Sequence, residues 1–487
     1  MGIIVRQSLA NMGITYLAFI VGAVNTLFLY TNFLTPEYYG LTSYILATSN
    51  LLWPVIAFGI NNTIVKFYSS YLDQKELDKF LMYALLLPLL PALLIGGLGV
   101  TFYSFVLTYF EGQNAIIQPY VWTIWAIGFF LAYFEVFYAW AKVHLKSIYG
   151  NFIKEFFHRF IIFILLVSVF SDVLTQRQFI YAIVAVYAVR MLLMAGYAFY
   201  LRRPRLRFAL PNNAWNVFKY SVLIVIAGSV SIMLLDLDKV MIEIYFPVAN
   251  IAFYNMSVYM ASIIAVPARA MQQIIHPLTA QLLNDKNYKE LQYIYRQSSL
   301  HLILVNGIFF VFVLCNAEQL FLLIPDKYPL FSTVLALIAF TKLIEGGMGN
   351  ANAILYSSDY YRFVLYTGII AAIVALILNL LLIPRFGLIG AAFATFSALT
   401  IYNGIKLFFI RKAFQLQPFT SKTLLALLLI GIFCLSFYSW QFPIHPILGI
   451  LAKSSLITVL YASMLYVMKL SEPFNTYIDK FFRKRKS

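Results

Sequence analysis

Charged residues are scarce in this chain: Asp, Glu, Lys and Arg make up 11% of its 487 residues, and only 19 are acidic. So few charges cannot cover a water-soluble surface of this size. Cysteine is rarer still. Cys315 and Cys434 lie far apart in apolar sequence, with no second pair and no metal-ligand spacing, so they read as packing residues and say nothing about redox compartment. The histidines His144, His158, His276, His301 and His445 are dispersed and make no metal motif. A phosphate-binding Gly loop closed by Lys, a His-Glu zinc helix and a Ser nucleophile elbow are all missing. No ATPase or hydrolase is legible, the chain is not expected to be an enzyme, and no metal or cofactor is expected.

What is present is oil. Hydrophobic residues make up 62% of the chain, and the mean hydropathy is +0.82. Apolar runs of about 20 residues, long enough to cross a bilayer as helix, recur from end to end. We count about fourteen, centred roughly on residues 22, 53, 93, 131, 162, 189, 229, 261, 311, 341, 372, 397, 431 and 457. The expected fold class is an all-α polytopic membrane protein. The first run, from Met12 to Leu34, is too long for a secretory signal and reads as a retained first span.

Basic residues crowd alternate connections: "KVHLKSIYGNFIKEFFHR" (142–159), "RRPRLR" (202–207), "NDKNYKELQYIYR" (284–296), "RKAF" (411–414) and the tail "KFFRKRKS" (480–487). The opposite connections hold only Arg177, Lys327 and Arg385. The positive-inside rule therefore puts both termini in the cytoplasm and requires an even number of spans. The net charge of +16, from 35 basic and 19 acidic residues, mainly reports this topology. It is scattered over short loops, which speaks against a nucleic-acid partner. The tail reads as an orientation signal or as a contact with anionic lipid.

Read against itself about 210 residues out of phase, the chain repeats. Pro54 meets Pro267, and Lys75-Glu76-Leu77 meets Lys289-Glu290-Leu291. Pro119 and Glu135 in span four have the same spacing as Pro329 and Glu345 in span ten. The expected organisation is two pseudo-symmetric six-helix lobes, residues 1–207 and 208–414, followed by spans thirteen and fourteen with the basic tail (415–487). Parallel lobes with a polar lining suit alternating access.

Against this background the stretch "LLDLDKVMIEIYFP" in span seven stands out. Asp236 and Lys239 are spaced i, i+3, and Lys239 and Glu243 i, i+4, so they read as pairs at a wetted helix end. The other reading places them, with Asp238, on an inner surface as a gate or an ion-coupling site. Asn25 lies at a similar depth in span one. Glu135, Arg190, Arg269, Lys342 and Glu345 have long apolar flanks, and such residues face an interior by default because facing lipid costs a few kcal/mol or more. Lys342 and Glu345 either neutralise one another or serve function. Arg269 follows Pro267, where a kink is expected, and lacks a carboxylate on its own helix. It either snorkels towards the cytoplasmic face or offers its planar guanidinium to a phosphate.

The segments "FLTPEYYGLTSYILA", "LLDLDKVMIEIYFPVANIAFYNMSVYMASIIAVP" and "PRFGLIGAAFATFSALTIYNGIKLFFIRK" resemble the polysaccharide-transport branch of the multidrug/oligosaccharidyl-lipid/polysaccharide flippase superfamily. The resemblance implies a flippase in the bacterial cytoplasmic (inner) membrane. Its substrate would be an undecaprenyl-diphosphate-linked oligosaccharide of O-antigen, capsule or exopolysaccharide, carried to the periplasmic leaflet through a cationic cleft. On that reading Arg269, Lys342, Arg190 and Asn25 hold the diphosphate or glycan. Asp236, Asp238, Lys239, Glu135 and Glu345 couple an ion, H+ or Na+, or gate the path. The partners are membrane lipids and polysaccharide assembly proteins. The lipid II flippase branch carries charge in span one, whereas this chain offers Asn11, Thr15, Asn25, Thr31 and Asn32 there.

The 35 tyrosines are read as interfacial belts and helix packing, with some free to stack on sugars. A polysaccharide polymerase or ligase is the first alternative, but such enzymes usually present a large outward loop that this chain lacks. A cation-coupled small-molecule exporter of the same superfamily is the second, and the terminal pair of spans argues against it.

Overall fold

The computed structural model describes residues 2–112, 114–473, 475, 476 and 479. The tail 480–487 lies outside them. Among the described residues every regular element is helical. Nine helices there are long and apolar enough to cross a membrane, or ten when Pro36–Ile56 and Ile60–Ser70, bent by 44°, count as one span. The element Tyr361–Phe414 contains two of the spans read from sequence and breaks at Gly387 (φ 58°, ψ −135°). Only glycine adopts that backbone without strain, so this residue separates spans eleven and twelve.

Local chemistry sets the helix starts. Pro36 opens its helix at a position that needs no N–H, and the Thr35 hydroxyl accepts from the Tyr38 amide. Thr175 and Gln178 form a reciprocal capping box at the start of Gln176–Leu201. Span two breaks at Phe58 and Gly59, both with positive φ, shortly after Pro54. Span eight breaks at the 3-10 turn Ile263–Ala265, just before Pro267. The kink expected at Pro267 thus falls on its N-terminal side. Proline starts the new helix there because the first turn leaves its N–H groups unpaired anyway.

The chain forms two compact units, Met1–Asn255 with Asn379–Ala391, and Met256–Leu378 with Ala392–Ser487. In the first unit Val121–Val143 is the central post, and Pro36–Ile56, Ile60–Phe67 and Gln176–Leu201 pack on it. Trp140, Phe134 and Phe80 are fully buried in this core. Ala214–Tyr245, the seventh span, packs on Pro36–Ile56. Just past the C-terminal end of the seventh span a Cβ on Gly40 would sit 2.0 Å from the Val248 carbonyl oxygen. Gly40→Ala is therefore expected to push two backbones apart at a cost of about 1–3 kcal/mol. A lowered Tm of the purified protein would register it, and an unchanged Tm would show that this contact is not tight.

In the second unit the post is Tyr288–Phe321, most of whose apolar stretch is buried. Ser332–Gly347, Val266–Asn284, Ser421–Tyr438 and Pro446–Val467 surround it. The last two spans are seated by small and polar contacts. Gly307 lies under Ile430, and the Tyr461 hydroxyl donates to the Leu304 carbonyl at 3.0 Å. Lys453, 1% exposed, donates to the Cys315 carbonyl at 2.7 Å. The thiol of Cys315 reaches the Cys434 carbonyl at 3.9 Å, so the two cysteines, distant in sequence, lie on packed helices as filling.

Candidate functional site: buried charge within each unit

The four charged residues of span seven have separate partners in the first unit. Lys239 and Asp236 pair at 2.8 Å, with side chains 15% and 13% exposed. Asn50 of span two donates to the other Asp236 oxygen at 3.0 Å. The pair is therefore packed against a neighbouring helix. The expected Lys239–Glu243 pairing gives way to another: the Asn114 amide donates to the Glu243 carboxylate at 3.0 Å and to its carbonyl at 2.8 Å. Asn114 Oδ1 also accepts from the Val248 amide at 2.8 Å, so one buried side chain clamps the C-terminal end of the span. Lys239 is already engaged by Asp236, and Asn114 meets Glu243 from outside the helix, with a further contact to the Phe246 carbonyl at 3.2 Å.

Asp238 faces another way. It is 6% exposed, accepts from the Asn379 amide at 2.9 Å and takes a short hydrogen bond from the Tyr254 hydroxyl. Asn379 is fully buried, and its Oδ1 has no hydrogen-bond partner among the described residues. A buried carboxylate and the side chain that carries an idle amide oxygen are thus joined by one hydrogen bond. Carboxylate and amide oxygens are both hard donors.

A second cluster lies in spans one, four, five and six of the first unit. Spans one and five each contain a π-helical turn, Val24–Leu29 and Phe152–Phe157. Such turns are rare and are frequent at functional sites. The first places Asn25, 3% exposed, so that its amide donates to the Arg159 carbonyl at 2.8 Å. The second carries Lys154, which pairs with Glu135 at 2.6 Å, and Glu155, which pairs with Arg159 at 3.1 Å. Lys142 lies 4.1 Å over the Tyr138 ring. Arg190, 4% exposed, stacks 4.1 Å over Phe134. Lys142, Lys154 and Arg190 are all within electrostatic reach of Glu135. Four basic side chains here face two carboxylates. Arg190 Nε and Asn25 Oδ1 are buried without hydrogen-bond partners among the described residues.

The second unit has a smaller counterpart. Lys342 and Glu345 pair at 2.9 Å, the lysine 14% and the glutamate 51% exposed. Arg269 is exposed, and with Lys406 it is within reach of Glu345. Lys406, 2% exposed, donates to Asn352 at 3.0 Å and sits 3.9 Å over the Tyr402 ring. Three basic side chains here face one carboxylate. Lys406 is the residue that sequence reasoning missed. A lysine two turns inside a span is a visible signal, but its closeness to the basic end "RKAF" disguised it.

Comparison with known proteins fits this framework. No family model matches the chain. An uncharacterized membrane protein of Methanocaldococcus jannaschii, MJ1068, is 23% identical over 443 residues, covering 84% of each chain. Among solved structures, the lipid II flippase MurJ in an inward closed conformation covers 96% of this chain and 100% of its own, with a TM-score of 0.70 at 15% identity. The chain has a MurJ/MATE-like fold. An inward-facing multidrug resistance MATE family transporter of the MOP superfamily covers 84% of this chain and 98% of its own, with a TM-score of 0.66 at 13% identity.

Proposed function

We propose that this protein is a flippase for polyprenyl-diphosphate-linked oligosaccharides, undecaprenyl-linked in a bacterial cell, moving them from the cytoplasmic to the outer leaflet of the cytoplasmic membrane by alternating access of its two halves. The observation that carries the reading is the basic excess of one cluster in each unit: Lys142, Lys154, Arg159 and Arg190 against Glu135 and Glu155, and Arg269, Lys342 and Lys406 against Glu345. Moving an isolated ion into hydrocarbon costs on the order of tens of kcal/mol, so a diphosphate needs fixed cations along its way. Among the described residues Arg190 and Lys406 are buried without a salt-bridge partner, which is costly and is most easily explained by an anionic visitor.

The terminal helices Ser421–Tyr438 and Pro446–Val467 support a flippase over a drug exporter. The lipid II flippase fold overlays 96% of the chain with them, while the multidrug transporter leaves a sixth of it without a counterpart. Arg190 and Asn25 act at the diphosphate from the first unit, and Arg269 and Lys342, joined by Lys406, from the second. Asp238, with Tyr254 and Asn379, is the ion-coupling group. Asp236, Lys239 and Glu243 hold span seven as gate contacts, and Glu135 and Glu345 tune the cations beside them.

The test uses cells lacking the gene and impermeant probes that report which leaflet holds the lipid-linked glycan. Wild-type protein is expected to release units trapped in the cytoplasmic leaflet, and Arg190→Gln and Arg269→Ala to release them at least about tenfold more slowly, the equivalent of 1.4 kcal/mol. Units reaching the outer leaflet without the protein would overturn the reading and favour an assembly enzyme.

A further inference from the structure

A cavity of about 450 Å³ lies in the first unit, away from the clusters above, lined by Ile14, Lys146, Ile148, Tyr149, Phe152 and Tyr197. It holds one cation, and no carboxylate lines it. Lys146 is exposed and follows Leu145, whose positive φ (57°) makes the tight turn after span four. Tyr149 and Tyr197 both line the cavity and lie ring to ring at 4.4 Å.

Phe152 is also the first rung of a ladder. Phe152, Phe156, Phe160 and Phe163 stack in succession along span five, with centroids 5.4, 5.5 and 6.4 Å apart and planes inclined by only 28°, 14° and 5°. The π-helical turn Phe152–Phe157 underlies the first two rungs. Phe152 and Phe160 leave 38% and 42% of their surface open. At 1.5 Å per residue the ladder runs about 16 Å, roughly half of a 30 Å hydrocarbon core. A chain lying on it stays within one leaflet.

We propose that this groove seats a polyprenyl phosphate, with the phosphate on Lys146 and the tyrosine hydroxyls and the isoprenoid chain along the phenylalanine ladder. The choice of ligand rests on the flippase reading; the groove itself is independent of it. A single cation beside apolar walls matches a compact anionic head. One row of stacked rings along a single helix matches one unsaturated, methyl-bearing chain, whereas a diacyl lipid would need two tracks. The basic connection 142–159 puts the head on the side read as cytoplasmic, where a lipid-linked substrate is loaded. The site would hold the carrier lipid's tail while the glycan and diphosphate are taken up by the buried cations.

Full-length protein in phosphatidylcholine nanodiscs, exposed to a short polyprenyl monophosphate carrying a diazirine on its terminal isoprene, tests this by mass mapping of the adducts. Adducts are expected within residues 148–163, to be lost under excess untagged polyprenyl phosphate and kept under excess phosphatidylglycerol. Lys146→Ala, and Phe156→Leu with Phe160→Leu, are expected to cut labelling about tenfold, while Lys422→Ala leaves it unchanged, with size-exclusion profiles confirming that each variant is folded. Equal competition by phosphatidylglycerol would reduce the groove to an ordinary lipid seat, and adducts elsewhere or unaffected variants would also overturn the proposal. Labelling needs no transport. A protein that labels here but does not flip glycans keeps the site and loses the proposed function, while one that flips without labelling here does the reverse.

Discussion

Asp238→Asn is expected to leave a folded protein that no longer converts an ion gradient into transport. The substitution keeps shape and removes charge. The new amide oxygen still accepts from the Tyr254 hydroxyl, and Asn379 can turn its idle Oδ1 towards the new amide hydrogens. The flip exchanges one unpaired amide atom of Asn379 for the other, so the number of unpaired groups does not rise, and Tm should stay near the wild-type value. Asp238→Ala removes the acceptor from both neighbours, and each buried group left unpaired costs about 1–3 kcal/mol. The informative contrast is therefore between the two variants. In proteoliposomes, glycan-lipid transport stimulated by a sodium or proton gradient should fall at least about tenfold in Asp238→Asn, while exchange without a gradient persists. Undiminished stimulation would mean that the charge of Asp238 serves only the packing of span seven.

The pairing of Asp236 with Lys239 and of Lys342 with Glu345 was legible in the sequence, because residues three apart on a helix share a face whatever surrounds them. Partners on other helices were not. Asn114 for Glu243, Asn379 for Asp238, Lys154 for Glu135 and Asn352 for Lys406 are separated by 129, 141, 19 and 54 residues, and only the axial register of packed helices decides which of them meet. Asparagines were the most easily overlooked, since an Asn in a span costs little and carries no alarm. In the structure Asn25, Asn114 and Asn379 each hold a buried junction, and two of them keep a free amide oxygen. The helical class followed directly from hydropathy, because a backbone in lipid has to satisfy its own hydrogen bonds. The membership of each compact unit did not: the contact of Ala214–Tyr245 with Pro36–Ile56 is a matter of side-chain packing that the repeat does not encode.

Glu135→Ala should destabilise the first unit. The Glu135 side chain is 9% exposed and pairs with Lys154, which is 37% exposed, while Lys142 and Arg190 also feel its charge. Without it Lys142, Lys154, Arg159 and Arg190 confront Glu155 alone; Lys154 can turn to water, but the buried Arg190 loses a neighbouring countercharge, and a cost of about 1–3 kcal/mol is expected. Lys154→Ala should cost a comparable amount, because it leaves the buried Glu135 carboxylate without its bonded partner, with only the charges of Lys142 and Arg190 nearby. The double variant should recover part of the loss, since it withdraws one charge of each sign and restores the original excess of two. Tm values of the four proteins close the cycle, and strict additivity would show that the pair does not interact. The cycle also separates architecture from transport. If the excess of positive charge is what receives the diphosphate, the double variant should flip lipid-linked glycan nearly as well as wild type, and adding Arg190→Gln to it should stop transport without a comparable fall in Tm.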